Sequence, residues 1–364
     1  MLQTALLATR RAVREALRAE YGAAGPGDGA DRGLLLVALS GGADSLALAA
    51  AAAFTAPRER FSAGAVVVDH GLQTDSAVVA DRAADQARQL GLAPVVVRRV
   101  AVSASAARGP EAAAREARYA ALASAARELG AIAILTAHTR DDQAEQVLLG
   151  VARGSGARSL AGIPPRRALD TGLVALRPFV GAEPAVTRAT TEAACHEAGL
   201  DAWEDPQNSD PAYTRVRVRN TVLPLLEREL GPGVAAALAR TADLAREDAE
   251  AFDAMITEQI EEIVEHAEAG IAVSAGALAA NPAALRHRII RRVAEAEFGS
   301  ELSREHTLAI AALVTHWRGQ GTIEVPGITV ARVGGRIEFT RRVGSPRRSG
   351  PRADVADDLS AMEE

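Results

Sequence analysis

The 364-residue chain contains no lysine; all 41 of its basic residues are arginine. A Walker A loop needs a lysine on its phosphates and a pyridoxal enzyme needs a Schiff-base lysine, so both are excluded. Cysteine is nearly absent as well. One thiol, Cys195, cannot build a disulfide framework, a zinc ribbon or a cysteine-held iron–sulfur cluster. No uninterrupted apolar run reaches the roughly eighteen residues of a membrane span. The arginines of MLQTALLATRRAVREAL follow its apolar stretch, so it does not read as a secretory signal. A cytoplasmic protein without a membrane partner is expected. The formal net charge of −6 gives no global pull toward nucleic acid, so any RNA contact must come from local basic patches.

What is present is a core: 48% of the residues are hydrophobic, and the length suits two or three domains. Residues 1–20 read as an amphipathic helix ahead of the flexible stretch YGAAGPGDGADRG. Continuous apolar runs of strand length then recur at 33–39 (GLLLVAL), 64–69 (GAVVVD), 94–100 (PVVVRRV) and 131–136 (AIAILT). Helical segments separate them near 75–90 and 111–129, and another starts near 140. Such alternation predicts an α/β fold, a parallel sheet flanked by helices and built with right-handed crossovers. Ligands on such sheets lie beyond the C-terminal strand ends.

The layout predicted is an N-terminal helix and linker over 1–30, a catalytic domain over 31–230, a smaller mainly helical domain over 231–342 and a disordered tail over 343–364. Two strand-like pieces close the helical domain, around TIEVPG and ITVARVGGRIEFT.

After the first strand comes Ser40-Gly41-Gly42-Ala43-Asp44-Ser45 and then a helix. Paired glycines let backbone N–H groups converge on an anion, and the helix N-terminus adds its positive dipole end. Ser40 and Ser45 can donate to phosphate oxygens. Asp44 would repel phosphate unless a divalent cation lay between, so the loop suits pyrophosphate with Mg²⁺. The competing reading is an ordinary strand-to-helix turn capped by Ser40 or Asp44. Asp69, at the end of the second strand, and His70 can meet the same nucleotide; for Asp69 the alternative is a strand-end turn residue.

Beyond the fourth strand stands His138, and Thr139 can cap the helix that begins at Arg140. Asp141, Asp142 and Glu145 share one helix face by their spacing and could hold Mg²⁺ or a substrate ammonium group. The alternative is a capping box from Thr139 to Asp142 with Glu145 solvated. Arg153, in RGSG, lies in an acid-free stretch over 146–169 that suits a phosphate backbone. Arg215, Arg217 and Arg219 alternate on TRVRVRN, which puts them on one strand face or splays them on a loop, again toward phosphates. Arg286, Arg288, Arg291 and Arg292 cluster on a later helix, where a solvated face competes with contact to a nucleic-acid backbone.

The string SGGADS resembles the loop of the N-type ATP pyrophosphatases. With VDHGLQTDS (68–76), GPEAAAREARYAAL (109–122), TAHTRDDQAEQVLLGVARGSGARSLAGIPP (136–165) and WEDPQNSD (203–210), the region from about 33 to 230 resembles the tRNA(Ile)-lysidine synthase family. The resemblance implies ATP-dependent ligation of free lysine to carbon 2 of the wobble cytidine of a CAU-anticodon tRNA(Ile), through an adenylated base. It implies ATP and Mg²⁺, with Asp44 and Asp142 on the metal, Arg115 in substrate contact, and Asp142 and Glu145 in lysine or metal binding. Arg118 is expected to pair on the surface with Glu111 or Glu116. A homodimer is left open. Two other readings compete: another adenylating tRNA-modifying enzyme of the superfamily, and a nucleotide-binding module without catalysis. A single cysteine opposes the thiolating relatives, and retention of Asp44 with the DDQAE carboxylates opposes the module.

Overall fold

In the computed structural model of the protein, the described residues are 4–24, 31–69, 71, 75–100, 110–154, 156–181, 183–267 and 270–342. The chain divides into two compact units, Met1–Ala249 and Glu250–Glu364.

The first unit begins with α1 (Ala5–Tyr21), followed by β1 (Leu34–Leu39), α2 (Ala43–Thr55), β2 (Ser62–Asp69), α3 (Ser76–Gln89), β3 (Val95–Arg99), α4 (Pro110–Glu128) and β4 (Ala131–Leu135). It continues through α5 (Arg140–Ala152), α6 (Ala157–Leu160), β5 (Arg166–Asp170), β6 (Leu173–Leu176), α7 (Arg188–Ala198), α8 (Thr214–Arg217) and α9 (Leu223–Leu230), and into α10 (Val234–Ile263). Its six strands lie in the order β3-β2-β1-β4-β6-β5, all parallel except β5, which runs antiparallel to β6.

Strand β1 explains why its sequence is apolar without interruption. Leu35, Val37 and Leu39 are buried with α1, α2 and α7 residues on one face of the sheet. Leu36 is buried with Val66, Ile134 and the α4 residues Leu122, Ala125 and Ala126 on the other. Each such leucine contributes about 1.5–3 kcal/mol relative to exposure. The strand order reverses at β1: β2 and β3 extend to one side, and the chain then returns to place β4 on the other. The C-terminal ends of β1 and β4 therefore flank the crevice where open α/β sheets take ligands.

Helix α1 stands where an amphipathic helix was expected and is part of the core, with Ala12, Val13 and Leu17 buried among α2 and sheet residues. Two other features depart from the sequence expectation. Strands β5 and β6 were not expected; β6 has only four residues, too few for a periodic signal. TRVRVRN is helical, as α8 and the π-turn Val218–Val222, and not a strand or loop.

The second unit has β7 (Val264–Ala267), β8 (Gly270–Ser274), α11 (Ala275–Ala280), α12 (Ala283–Phe298), α13 (Arg304–Thr315), β9 (Ile323–Val325), β10 (Ile328–Val333) and β11 (Arg336–Arg341). The closing strand pieces were expected; the β7–β8 hairpin that completes an antiparallel sheet in the order β7-β8-β11-β10-β9 was not. Ile289, Ile310, Val330 and Phe339 lie in its core.

Candidate active site

The loop after β1 is held by its own hydroxyls. Ser40 donates its backbone N–H to Ser45 Oγ at 3.1 Å, the two hydroxyls lie 3.1 Å apart, and Ser45 Oγ donates to the Gly42 carbonyl at 3.0 Å. Gly41 has φ +87°, the left-handed region that favours glycine. Gly42 is the N-cap of α2 and places no side chain on the helix N–H groups, so those donors face the crevice. Trp203 donates its N–H to the Gly41 carbonyl at 3.0 Å, which brings the WEDPQNSD segment against the loop. Cys195, remote from every motif in sequence, donates from Sγ to the Ala43 carbonyl at 3.2 Å. Burial, then the Asp44 charge, pushes its thiol up to about 11. It packs the loop and is no nucleophile.

Asp44 is turned toward α7. Thr191 Oγ1 donates to its Oδ1. Its Oδ2 has Arg188 Nε at 3.9 Å, beyond hydrogen-bond reach. Burial raises the Asp44 carboxyl above its ordinary range; Thr191 opposes this and the Asp142 charge adds to it.

The loop after β4 supplies the facing carboxylates. Thr139 and Asp142 form a capping box at the start of α5, with the Thr139 N–H on Asp142 Oδ2 at 2.7 Å. The structural alternative for Asp142 is thus present, but only on one oxygen. Asp142 Oδ1 accepts from Arg188 Nη2 at 2.6 Å and Arg215 Nη2 at 3.2 Å. Glu145 is not solvated. Its Oε1 accepts from Arg188 Nη1 at 2.9 Å and Arg219 Nε at 2.8 Å, its Oε2 from Arg215 Nε at 2.7 Å and Arg219 Nη2 at 3.3 Å. Burial would raise both carboxyls. For Asp142 the charges of Arg188 and Arg215 outweigh it, for Glu145 the Arg219 hydrogen bond and the Arg188 charge, and both lie below the ordinary range.

Arg188 is the residue that sequence reasoning missed. It bridges Asp44, Asp142 and Glu145. Its one local signal is placement at the first position of α7, where the helix dipole opposes a cation. Asp141 is committed to structure, accepting the Arg188 backbone N–H at 2.7 Å. Arg215 and Arg219 reach Glu145 because four residues of helix put them on one face. Arg217 turns away, to the Pro211 and Ala212 carbonyls.

The remaining candidates divide. Asp69 is buried at the end of β2, accepts the Gly71 N–H at 3.0 Å and has Arg99 Nε at 3.5 Å. His70 lies outside the described residues. His138 Nδ1 is 3.1 Å from Thr136 Oγ1; burial, then the Arg177, Arg118 and Arg115 charges against that of Asp142, bring it down to about 3. Arg153 is exposed in the turn after α5. Arg115 and Arg118 stand over Tyr119, and among the described residues Arg118 makes no surface ion pair with Glu116.

Among the described residues no three metal-ligating side chains converge. Magnesium in a nucleotide site needs only one or two carboxylates, with phosphates and water completing its shell. Asp44, a half-buried carboxylate with one oxygen free of hydrogen bonds, fits that role. Both oxygens of Asp142 are already engaged.

Residues 15–226 match the PP-loop domain, and residues 274–338 match the TilS substrate binding domain. The tRNA(Ile)-lysidine synthase of Leifsonia xyli is 58% identical over 88% of this chain and 93% of its own length. The chain belongs to the tRNA(Ile)-lysidine synthase family. The synthase of Salinispora tropica is 52% identical over 91% of this chain and 95% of its own. Among solved structures, the U34-tRNA thiolase NcsA from Methanococcus maripaludis, with its [4Fe-4S] cluster, shares the fold at TM-score 0.51 and 17% identity, over 65% of this chain and 78% of that one. Family membership carries ATP use through the PP-loop domain.

Proposed function

We propose that this chain joins free L-lysine to carbon 2 of the wobble cytidine in a CAU-anticodon tRNA(Ile), converting ATP to AMP and pyrophosphate. The observation that carries the reading is the uncapped N-terminus of α2 behind Ser40–Ser45, with Asp44 in its first turn, at the sheet's switch point. The backbone N–H groups and hydroxyls of the loop receive the β and γ phosphates. The cytosine O2 attacks the α phosphate in line, and pyrophosphate leaves into the loop. Asp44 would hold Mg²⁺, which when bound neutralises phosphate charge. Catalysis by the chain is then positioning plus electrostatic stabilisation.

For the second step the lysine ε-ammonium, desolvated near Asp142 or Glu145, gives a proton to one of these carboxylates, and the free amine attacks carbon 2 as AMP departs. Carboxylates at the β4 edge orient the amine, and exclusion of water protects the adenylate from hydrolysis. The arginines on Asp142 and Glu145 make this a charge-balanced cluster, so a lysine ammonium enters by displacing or sharing a guanidinium. Arg115 and Arg153 face the RNA. A cytoplasmic location, alongside the tRNA substrate, fits this role.

A thiolating reading fails on Cys195, whose raised thiol is tied to the Ala43 carbonyl. The deciding experiment incubates the protein with Mg-ATP, labelled lysine and CAU-anticodon tRNA(Ile). Label in the tRNA that needs ATP and is lost in Asp44→Ala supports the ligase. Pyrophosphate release with tRNA but no label would leave adenylation and refute lysine as acceptor. ATP binding with neither signal would favour the non-catalytic module.

A further inference from the structure

Tyr119, on α4, is ringed by arginines. The guanidinium carbons of Arg115, Arg118 and Arg167 lie 5.3, 5.8 and 5.8 Å from its ring centroid. Arg177 donates from Nη2 to its hydroxyl at 3.3 Å. Among the described residues none of these four cations has a carboxylate partner. Arg177 is the most constrained. It is 2% exposed, donates Nη1 to the Pro164 carbonyl at 2.7 Å, and leaves its buried Nε without an acceptor. A buried guanidinium with no counter-charge and a spare donor is unfavourable unless an anion completes it. The neighbours respond to the same excess of charge. Burial, then the Arg115 and Arg215 charges, lowers Arg118. The Tyr119 hydroxyl, which burial would raise, is held below its usual value by Arg177, Arg115 and Arg118.

The place of the basin indicates which anion. Arg177 directly follows β6, and Arg167 lies opposite Ala175 in the β5–β6 pairing, so both sit at the C-terminal edge of β6, next to β4. Helix α4 covers the sheet face opposite the one covered by α2. The nucleotide's phosphates are provided for on the α2 side, by the loop. On the α4 side Arg115 and Arg167 are exposed, Arg118 is half-buried and Arg177 is buried, a graded surface open to a polymer backbone.

We infer that Arg118, Arg167 and Arg177, gathered on Tyr119, hold a backbone phosphate of the RNA substrate beside the base being modified. The inference rests on the RNA-ligase reading above. Single-strand phosphate contacts each add about 0.7 to the slope of log affinity against log salt. The test measures binding of unmodified tRNA(Ile) transcript across a potassium chloride series for the wild type, Arg118→Gln and Arg167→Gln, and ATP binding by calorimetry for the same proteins. Arg167 is exposed, so its replacement leaves the fold intact, and a thermal melt verifies this. Each variant is expected to lose about 0.7 of slope with ATP affinity unchanged. Unchanged slopes in both variants overturn the basin alone. A loss of ATP affinity with RNA slopes unchanged assigns the basin to the nucleotide and overturns it too. A wild type that binds no tRNA at any salt refutes the functional reading, and the basin falls with it.

Discussion

Replacing Glu145 with glutamine takes one charge from the most enclosed group of the arginine cluster while keeping its shape. The Glu145 side chain is 0% exposed, against 22% for Arg188, 31% for Arg215 and 24% for Arg219. It accepts from all three guanidiniums, and a glutamine amide would turn a donor toward at least one of them. Truncating one partner of a buried ion pair costs about 3–5 kcal/mol, because the other charge stays buried and unpaired. The arginines keep partial solvent and Asp142, which places the expected loss at about 3 kcal/mol. For a unit of this size that is roughly 6–12 °C of Tm.

Calorimetry on both proteins at neutral pH measures this, with a urea titration to verify that m is unchanged. The pH dependence adds a second test. The folded Glu145 pKa lies below its ordinary value, so its contribution is present above the ordinary carboxylate range and lost as pH falls through the folded value. The gap between the proteins should therefore close below about pH 4. A Tm within about 1 °C of wild type, with lysine incorporation abolished, would refute the reasoning. Glu145 would then spend its charge on substrate and not on its arginines.

His138→Gln should remove an acid-sensitive loss of stability. With the folded pKa near 3 against an ordinary 6.5, the unfolded chain takes up the proton first, so the wild type loses up to about 1 kcal/mol per pH unit as pH falls from 6.5 toward 3. Urea midpoints at pH 7.5 and 5.5 should differ less in the variant, and equal differences would refute the assignment. Gly162→Ala should cost about 1–3 kcal/mol. Its Cβ would lie 2.4 Å from Gln143 Oε1, at φ +63°, and Gln143 bonds Ile163 through both amide atoms; a urea midpoint equal to wild type would count against it. Arg188→Ala should lower lysine incorporation by about tenfold or more, since it leaves Asp44 and Asp142 to repel each other; steady-state turnover equal to wild type would show that the bridge has no part in the chemistry.

The parallel sheet was legible because β1 is buried on both faces, which forces an apolar residue at every position of Leu34–Leu39. The loop was legible because backbone N–H groups must converge there and the glycine pair declares it. Strand β6 was not, since LVAL is too short to distinguish from a stretch of loop and is fixed by pairing with β4. The alternation of Arg215, Arg217 and Arg219 suits a strand, yet the same residues on a helix place the first and third together. Glu145, 70 residues away from Arg215 in sequence, decides between the two by binding both at once.

That distance is the general reason why charges are easy to list from a sequence and hard to pair. Asp44, Asp142 and Glu145 each suggest a metal or an ammonium group when read singly. Arg188 lies 43 residues beyond Glu145 and 46 beyond Asp142, and no local pattern ties it to either. Folding delivers it to them because β4 and β6 are parallel neighbours whose following segments emerge at the same sheet edge. A carboxylate there is defined by the cation it meets. Asp44, the one left with an oxygen free of hydrogen bonds, is therefore the group in this cluster most available to what arrives with the nucleotide.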